Sequence, residues 1–206
     1  MMQATAVTQL QYFMVMGRNP STFRKHEYCD ANNFKVVYGL GLCVNHPVEN
    51  VSWDDAQAFN AQLNKTQSKH TYRLPTEAEW ENAARGGMPS GFPYSFGFND
   101  TNELNDYAWY DGNSNGRTHA VATKKANQCG LYDMNGNVWQ WVNDWYGDYP
   151  AAAVQDPAGP GTGSGRVRRG GSWGSGAGRL RSADRSSVDP GDRYSNLGFR
   201  LVRSSR

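Results

Sequence analysis

The stretch "GLYDMNGNVWQWVNDWY", residues 130–146, combines a turn signal with a cluster of tryptophans. Asn135-Gly136 is a dipeptide typical of tight turns, and Trp139, Trp141 and Trp145 follow it. Because side chains alternate across a strand, Trp139 and Trp141 would share one face of it. We therefore predict a turn that leads into a strand whose tryptophans contribute to a core.

The composition around this stretch predicts a loop-rich globular domain. The 206 residues include 23 glycines, and only 38% are hydrophobic, but seven Trp, eleven Tyr and eight Phe are present. Each large ring can bury about 150–250 Å², so few residues suffice for a core. No break in composition and no internal repeat divides the chain. We predict a single α+β domain over residues 1–206, with much irregular structure.

Three helix starts are marked by capping boxes, in which a Ser or Thr is followed three residues later by an acidic residue or Gln. These boxes begin at Thr8, Ser52 and Thr76. Glycine favours helix ends, so the first helix is expected to stop at Gly17 and the third at Gly86. The second should run to about residue 65.

After Gly86 turn signals recur at short intervals, and no helical period of useful length is visible. Short apolar stretches at residues 121–123 and 199–202 are predicted to be strands. The segment "AGPGTGSG", residues 158–165, has the composition of a flexible surface loop.

Charge and hydropathy exclude some classes of partner. The net charge of +2 is too small to favour nucleic acid. No run of about 18 apolar residues is present, so we expect no membrane insertion. The start, "MMQATAVTQLQYFMVMG", has no basic segment and no small-residue cleavage site, so no signal peptide is visible. We expect a cytoplasmic location on that ground.

The cysteines leave two arrangements open. Cys29, Cys43 and Cys129 cannot all pair within one chain. A bridge between Cys29 and Cys43 is compatible with the spacing but is not demanded by it. We expect free thiols, as in a cytoplasmic protein. The four histidines show no spacing typical of metal ligands.

Five segments together resemble the signature segments of the formylglycine-generating-enzyme (sulfatase-modifying factor) family. They fall in the family's order, and the resemblance as a whole extends over about residues 7–202. The resemblance implies a C-type-lectin-like fold with little regular secondary structure, often holding calcium. The segments are "PVENVSWDDAQAFN" (47–60), "YRLPTEAEWENAARGG" (72–87), the tryptophan-rich stretch quoted above (130–146), "RVRRGGSW" (166–173) and "GFRLV" (198–202).

The resemblance in fold does not carry over the family's activity. The family's oxidase holds copper with two cysteine thiolates shortly after the RGGS segment, and soft thiolates suit Cu(I). Here that segment continues "SWGSGAGRL" from residue 172, without a cysteine. We expect no catalytic residues in this chain. The alternative is a formylglycine-generating-type oxidase or a related metal-dependent oxygenase with ligands that the sequence does not reveal.

Calcium is the ion that the resemblance suggests, and the sequence offers two oxygen-rich places for it. One comprises Asn137, Val138 through its carbonyl, and Gln140, which replaces the family's usual glutamate. An amide still offers an oxygen but lacks the charge that strengthens calcium binding. The other place is Asn105 and Asp106. We expect that calcium can bind, while no cofactor is required.

The C-terminal segment, about residues 170–202, has an unusual residue selection and resembles the variable proteins of diversity-generating retroelements. In these proteins, adenines of a 3′ coding segment are replaced, so asparagine codons become randomised. Such changes reach Gly, Ser, Asp, Arg, Tyr and Val, but not Lys, Glu, Gln, Met or Trp. Between Gly174 and Asn196 none of those five occurs, although seven charged residues are present, all Arg or Asp.

We therefore expect a ligand-binding variable protein without catalysis, whose partner is an unidentified protein or small molecule. A Tyr, Ser and Gly surface resembles an antibody paratope. The alternative is an irregular loop that binds nothing. The expected contact positions are Gly174, Ser175, Gly176, Arg179, Asp184, Ser186, Ser187, Val188, Tyr194 and Ser195. Anchors expected beneath them are Trp173, Leu180, Arg181, Arg185, Pro190, Arg193 and Phe199.

Overall fold

A computed structural model describes residues 1–30, 32–66, 68–89, 91–97 and 101–205. Short helices and short strands are joined by long irregular connections, so the α+β prediction is confirmed. The helices are α1 (Gln9–Met16), α2 (Trp53–Thr66), α3 (Glu77–Arg85) and α4 (Thr101–Tyr107), and two 3₁₀ turns cover His26–Tyr28 and Ala177–Leu180. The strands are β1 (Phe34–Val37), β2 (Leu40–Cys43), β3 (His70–Arg73), β4 (Trp139–Trp145), β5 (Arg166–Arg169), β6 (Arg185–Val188), β7 (Leu197–Phe199) and β8 (Val202–Ser205).

A four-stranded sheet in the order β6-β5-β4-β7 forms the centre of the fold. Only the β4–β7 pair is parallel. The antiparallel register places Trp141 opposite Arg168, and Arg168 opposite Ser186. Two-stranded sheets pair β1 with β2 and β3 with β8. The edge strand β6 therefore comes from the C-terminal segment with the unusual residue selection.

Each face of the central sheet carries its own core. Trp139 and Trp141 lie on one face with Tyr12 of α1 and Phe59 of α2. The opposite face packs Val142 and other residues against α3. The predicted alternation of tryptophans along a strand is confirmed, because both indoles belong to the same core.

Local signals set the helix boundaries. Thr8 and Thr76 each form a reciprocal capping box, with Gln11 and Glu79 respectively. At α2, Ser52 accepts from the backbone of the third helical residue in the same way. Gly17 and Gly86 end their helices in the left-handed conformation, as predicted.

The turn at Asn135-Gly136 is fixed by a close approach of backbone. Gly136 has φ +97°, and a Cβ there would overlap the carbonyl oxygen of Trp109. Both the conformation and the lack of space require glycine. This turn aims β4 into the core.

Some sequence predictions were wrong because tertiary contacts decided the local structure. Residues 121–123 form a turn, since Ala122 has φ +59° and donates its N–H to the buried Asp133 carboxylate. Residues 199–202 are divided between the end of β7 and the start of β8. The short helix α4 was missed after Gly86.

The expectation of free thiols was wrong for two of the three cysteines. Cys29 and Cys43 form a disulfide, with Cα atoms 5.1 Å apart. Cys129 is free and exposed. Among the described helices, none has the length and apolar character needed to cross a bilayer.

Candidate binding surface in the C-terminal segment

The C-terminal segment runs from the end of β5 through a 3₁₀ turn, the edge strand β6 and a loop into β7. Of the expected apolar anchors, Leu180 and Phe199 are fully buried, and Trp173 and Pro190 are half-buried. The structure therefore fixes the segment at intervals and leaves the residues between these points at the surface.

The expected contact positions differ in how far they reach solvent. Gly174, Gly176, Arg179 and Tyr194 are exposed, whereas Asp184, Ser186, Ser187, Val188 and Ser195 are half-buried. Ser175 is the exception, because it is buried. Its Oγ accepts from the backbone N–H of Ser172 at 3.0 Å and lies 3.1 Å from the Ser172 hydroxyl. Ser175 therefore closes the loop and does not present its side chain to a ligand.

One group of contact positions surrounds the 3₁₀ turn at Ala177–Leu180. Gly176, Arg179, Arg181 and Asp184 contribute to a shallow cavity of 390 Å³. The Asp184 carboxylate lies 3.9 Å from Arg179 and 3.7 Å from Arg181. Burial raises the pKa of Asp184, and the two guanidinium groups oppose that change.

A second group lies along β6 and the loop that follows it. Ser186 and Val188 share the sheet face that carries Trp139, because they pair with Arg168 and Arg166 of β5. Val188 packs against the core on that face. Ser187 points to the opposite face, as expected from the alternation of a strand.

Arg168 connects the second group to the core. Its guanidinium lies over the ring of Trp139, at 5.0 Å from the centroid, and over that of Tyr194, at 5.9 Å. Its Nε donates to the Ser186 hydroxyl at 3.4 Å. Arg168 precedes the segment singled out in the sequence, so sequence reasoning missed it.

Several of the expected anchors do hold the segment in place. Arg185 binds both carboxylate oxygens of Glu77, at 2.8 and 2.7 Å. Arg193 donates to Asp55 at 2.8 Å. The indole N–H of Trp173 donates to the backbone oxygen of Ser195 at 3.0 Å. Arg181 differs, because its side chain is half exposed and contacts Asp184 only loosely.

Glu77 is a structural residue that the sequence did not reveal. It lies in the first turn of α3 and is only 6% exposed. It also lies 3.5 Å from the fully buried Arg169 and accepts from the Tyr149 hydroxyl. A charged side chain at the start of a helix gave no signal that a partner 108 residues away would cover it.

The side chains around Gln140 do not fit a calcium site, because their oxygens already accept hydrogen bonds from the protein. The Gln140 Oε1 atom accepts from the indole N–H of Trp80 at 2.8 Å and from Nε of the buried Arg200 at 2.6 Å. A cation at this oxygen would face a guanidinium. The Asn137 side chain likewise bonds the backbone of His119 through both its oxygen and its nitrogen. Val138 is buried next to them.

The second calcium position is also occupied by protein donors. Asn105 Oδ1 accepts from the Tyr110 hydroxyl at 3.1 Å. The Asp106 carboxylate binds Lys125 at 2.7 Å, and this partner lowers the pKa of Asp106. Lys124 donates to the backbone oxygen of Asn105. The ammonium groups of Lys124 and Lys125 thus already bind the oxygens that a calcium ion would need.

The donor set does not fit copper chemistry of the oxidase type either. Cys29 and Cys43 are bonded to each other, and Cys129 is a single exposed thiol. Across the ranges that the structure describes, no group of three or more His, Cys, Asp or Glu is arranged to hold a metal ion. Copper held by two thiolates after the RGGS segment has no counterpart in this chain.

Comparison with known proteins shows which family the chain resembles in sequence and fold. Residues 1–205 match the family described as "Sulfatase-modifying factor enzyme 1-like domain". The formylglycine-generating enzyme of Streptomyces coelicolor is 41% identical in an alignment of 177 residues, gaps included, that covers 77% of this chain and 52% of the enzyme. The chain thus spans about half the length of that relative.

Two solved structures share the fold over nearly the whole chain. Treponema denticola variable protein 1 is 35% identical, with a TM-score of 0.87, covering 100% of this chain and 84% of that protein. PvdO from Pseudomonas aeruginosa is 27% identical, with a TM-score of 0.76, covering 97% of this chain and 78% of that one.

Proposed function

The chain belongs to the family of sulfatase-modifying factor enzyme 1-like domains, and from this premise we propose that it is a non-catalytic, retroelement-diversified variable protein. Its C-terminal segment would present a changeable surface to an unidentified protein or small-molecule ligand. The observation that carries the proposal is the similarity in sequence and fold to a variable protein, combined with the residue selection between Gly174 and Asn196.

The presence of both fixed and exposed side chains within the segment supports this proposal. A diversified surface needs side chains that can change without loss of the fold. Gly174 and Gly176 are exposed, and a Cβ at Gly174 would meet nothing within 4 Å. Arg185 and Arg193, by contrast, end on buried carboxylates from α3 and α2. Fixed and free positions therefore alternate along one segment.

The oxidase is the second candidate, because enzymes are among the relatives at 41% identity. Its chemistry requires two thiolates near the RGGS segment, and this chain has none there. We expect no oxygen uptake when the copper-loaded protein is mixed with a cysteine-containing peptide. Turnover under those conditions would favour the enzyme over the variable protein.

The DNA around the gene gives the decisive test. We expect a near-copy of codons 170–202 close by, together with a reverse transcriptase gene. The two copies should differ only where the template has adenine, and these differences should fall on the exposed positions rather than on the anchors. Differences spread over all bases, or concentrated at Leu180 and Phe199, would contradict the proposal.

The disulfide bears on the location of the protein. Structural disulfides are rare in the cytosol, where thiols are kept reduced. The bond between Cys29 and Cys43 therefore favours an oxidising compartment, whereas the sequence favours a cytoplasmic location. Thiol titration of protein purified without reductant should count one free cysteine if the bond forms in the cell.

A further inference from the structure

Arg168 is a cation on the candidate surface that lacks a carboxylate partner. The four arginines between Gly174 and Asn196 each have one: Arg179 and Arg181 approach Asp184, Arg185 binds Glu77, and Arg193 binds Asp55. Among the described residues, none places a carboxylate oxygen within 4.0 Å of the Arg168 guanidinium. The 3.4 Å contact to the Ser186 hydroxyl is weak for a group with five N–H donors.

The surroundings of Arg168 leave its charge poorly compensated. Burial lowers the pKa of the guanidinium, and the nearby Arg179 cation adds to that effect, while Tyr194 and Asp192 oppose it. Arg168 nevertheless keeps its charge, because arginine stays protonated in proteins. Because the Arg168 guanidinium is partly shielded from water, the effective dielectric constant around it is lower than at an open surface. An anion would therefore interact with it more strongly than with a fully exposed arginine.

The rings on either side restrict where the guanidinium can point. Trp139 is 5% exposed and belongs to the core, so it forms a fixed floor under Arg168. Tyr194 is 43% exposed and lies on the solvent side. A planar guanidinium held in this way can offer its N–H groups to two oxygens of one oxyanion.

The balance of charge favours a single carboxylate over a polyanion. Asp184, Asp189 and Asp192 lie in the same segment as the exposed arginines, so the surface is not a basic patch. Binding along a nucleic acid needs several phosphate contacts from uncompensated cations. A protein partner that offers one acidic side chain matches the unpaired guanidinium of Arg168.

We propose that Arg168, supported by Trp139, forms a constant anion-binding centre within the variable surface and binds a carboxylate of an acidic peptide segment on a protein partner. This inference rests on the proposed function, because it takes Ser186 and Tyr194 as changeable neighbours of a residue that does not change. Arg168 precedes the diversified codons and would serve every variant of the protein. The changeable residues around it would then select which acidic segment binds.

A random-peptide display library tests the proposal, with the wild-type protein as bait and Arg168→Gln, Tyr194→Asn and Arg73→Gln as comparison proteins. Arg73 is the matched control, because its guanidinium already holds Glu79 through two bonds of 2.7 Å. We expect enriched peptides to contain Asp or Glu. Their affinity should fall about 10- to 100-fold for Arg168→Gln, as for loss of a charge-assisted bond, and remain unchanged for Arg73→Gln.

The possible outcomes separate this inference from the proposed function. Peptides without acidic residues that bind Arg168→Gln as well as wild type, but are weakened by Tyr194→Asn, would overturn the anion centre and leave the variable surface standing. Peptides that are insensitive to both changes would overturn both proposals. Arg168→Lys should restore part of the affinity, and equal thermal stability of the variants would exclude unfolding as the cause.

A second measurement covers the case in which no peptide is enriched. The NMR signal of the Arg168 Nε–H group is followed during separate titrations with acetate and inorganic phosphate. A saturable shift with acetate that is absent at Arg73 supports the carboxylate centre. A saturable shift with phosphate alone, or no shift with either ion, overturns it.

Discussion

The ion pair between Arg185 and Glu77 is a buried anchor of the candidate surface, and Arg185→Gln tests whether anchors and contact positions differ in their contribution to stability. The guanidinium makes two bonds to the carboxylate of Glu77, whose side chain is 8% exposed. It also lies 4.4 Å from the ring centroid of Tyr146 and 4.3 Å from that of Tyr149. Glutamine would lose both bonds and the stacking.

The expected loss follows from the burial of the pair. Removing one partner of a buried ion pair costs about 3–5 kcal/mol, because the other charge stays behind without compensation. Here Arg169 lies 3.5 Å from Glu77 and compensates part of that charge, and the Arg185 side chain is 16% exposed. We therefore expect the low end, about 3 kcal/mol of unfolding free energy, or a fall in Tm of roughly 6–12 °C for a domain of this size.

Urea unfolding monitored by tryptophan fluorescence gives the free energy, and a double-mutant cycle with Glu77→Gln isolates the pair. Arg179→Gln is the control, because Arg179 is 66% exposed and stands 3.9 Å from Asp184. A pair of that kind contributes about 0–1 kcal/mol. If Arg185→Gln costs no more than Arg179→Gln, or if the cycle shows no coupling, the distinction between anchors and free positions is wrong.

Three further predictions concern the scaffold. Gly136→Ala should lower the free energy of unfolding by more than about 3 kcal/mol, and Tm with it, because it adds a Cβ against a backbone carbonyl at a positive φ. Gly174→Ala should leave Tm unchanged. Equal effects of the two substitutions in calorimetry would refute this prediction. Replacing Cys29 and Cys43 together by Ser should cost about 3 kcal/mol, since the bridge closes a loop with a separation of 14 residues, and a loss below about 1 kcal/mol would contradict a stabilising bond. Burial raises the pKa of Glu49 from 4.5 to about 7, so the folded state binds its proton more tightly than the unfolded state, and stability attributable to Glu49 falls as pH rises from about 4.5 to 7. Glu49→Gln should therefore stabilise the protein relative to wild type above pH 7 and not below about pH 4.5, and urea midpoints that differ by the same amount at both pH values would disprove the assignment.

The features that could be predicted from the sequence are those fixed by neighbours along the chain. The capping boxes at Thr8 and Thr76 are contacts across three residues, so the helix starts are correct. The alternation of Trp139 and Trp141 follows from the geometry of one strand. The exposure of Gly174, Arg179 and Tyr194 follows from small or polar residues between apolar anchors.

Tertiary structure decided which polar side chains are satisfied, because their partners come from distant parts of the chain. Ser175 resembles its exposed neighbours in composition, yet its hydroxyl is used inside the loop. In sequence Gln140 resembles a calcium ligand, but in the structure its oxygen accepts a hydrogen bond from Arg200, which lies 60 residues later. Arg168 and Arg169 are adjacent in sequence, but strand alternation directs Arg169 to the carboxylates of Glu77 and Glu81 and directs Arg168 to a surface where it has no carboxylate partner. Local sequence sets the direction of a side chain, whereas the tertiary fold determines whether a residue of opposite charge lies next to it.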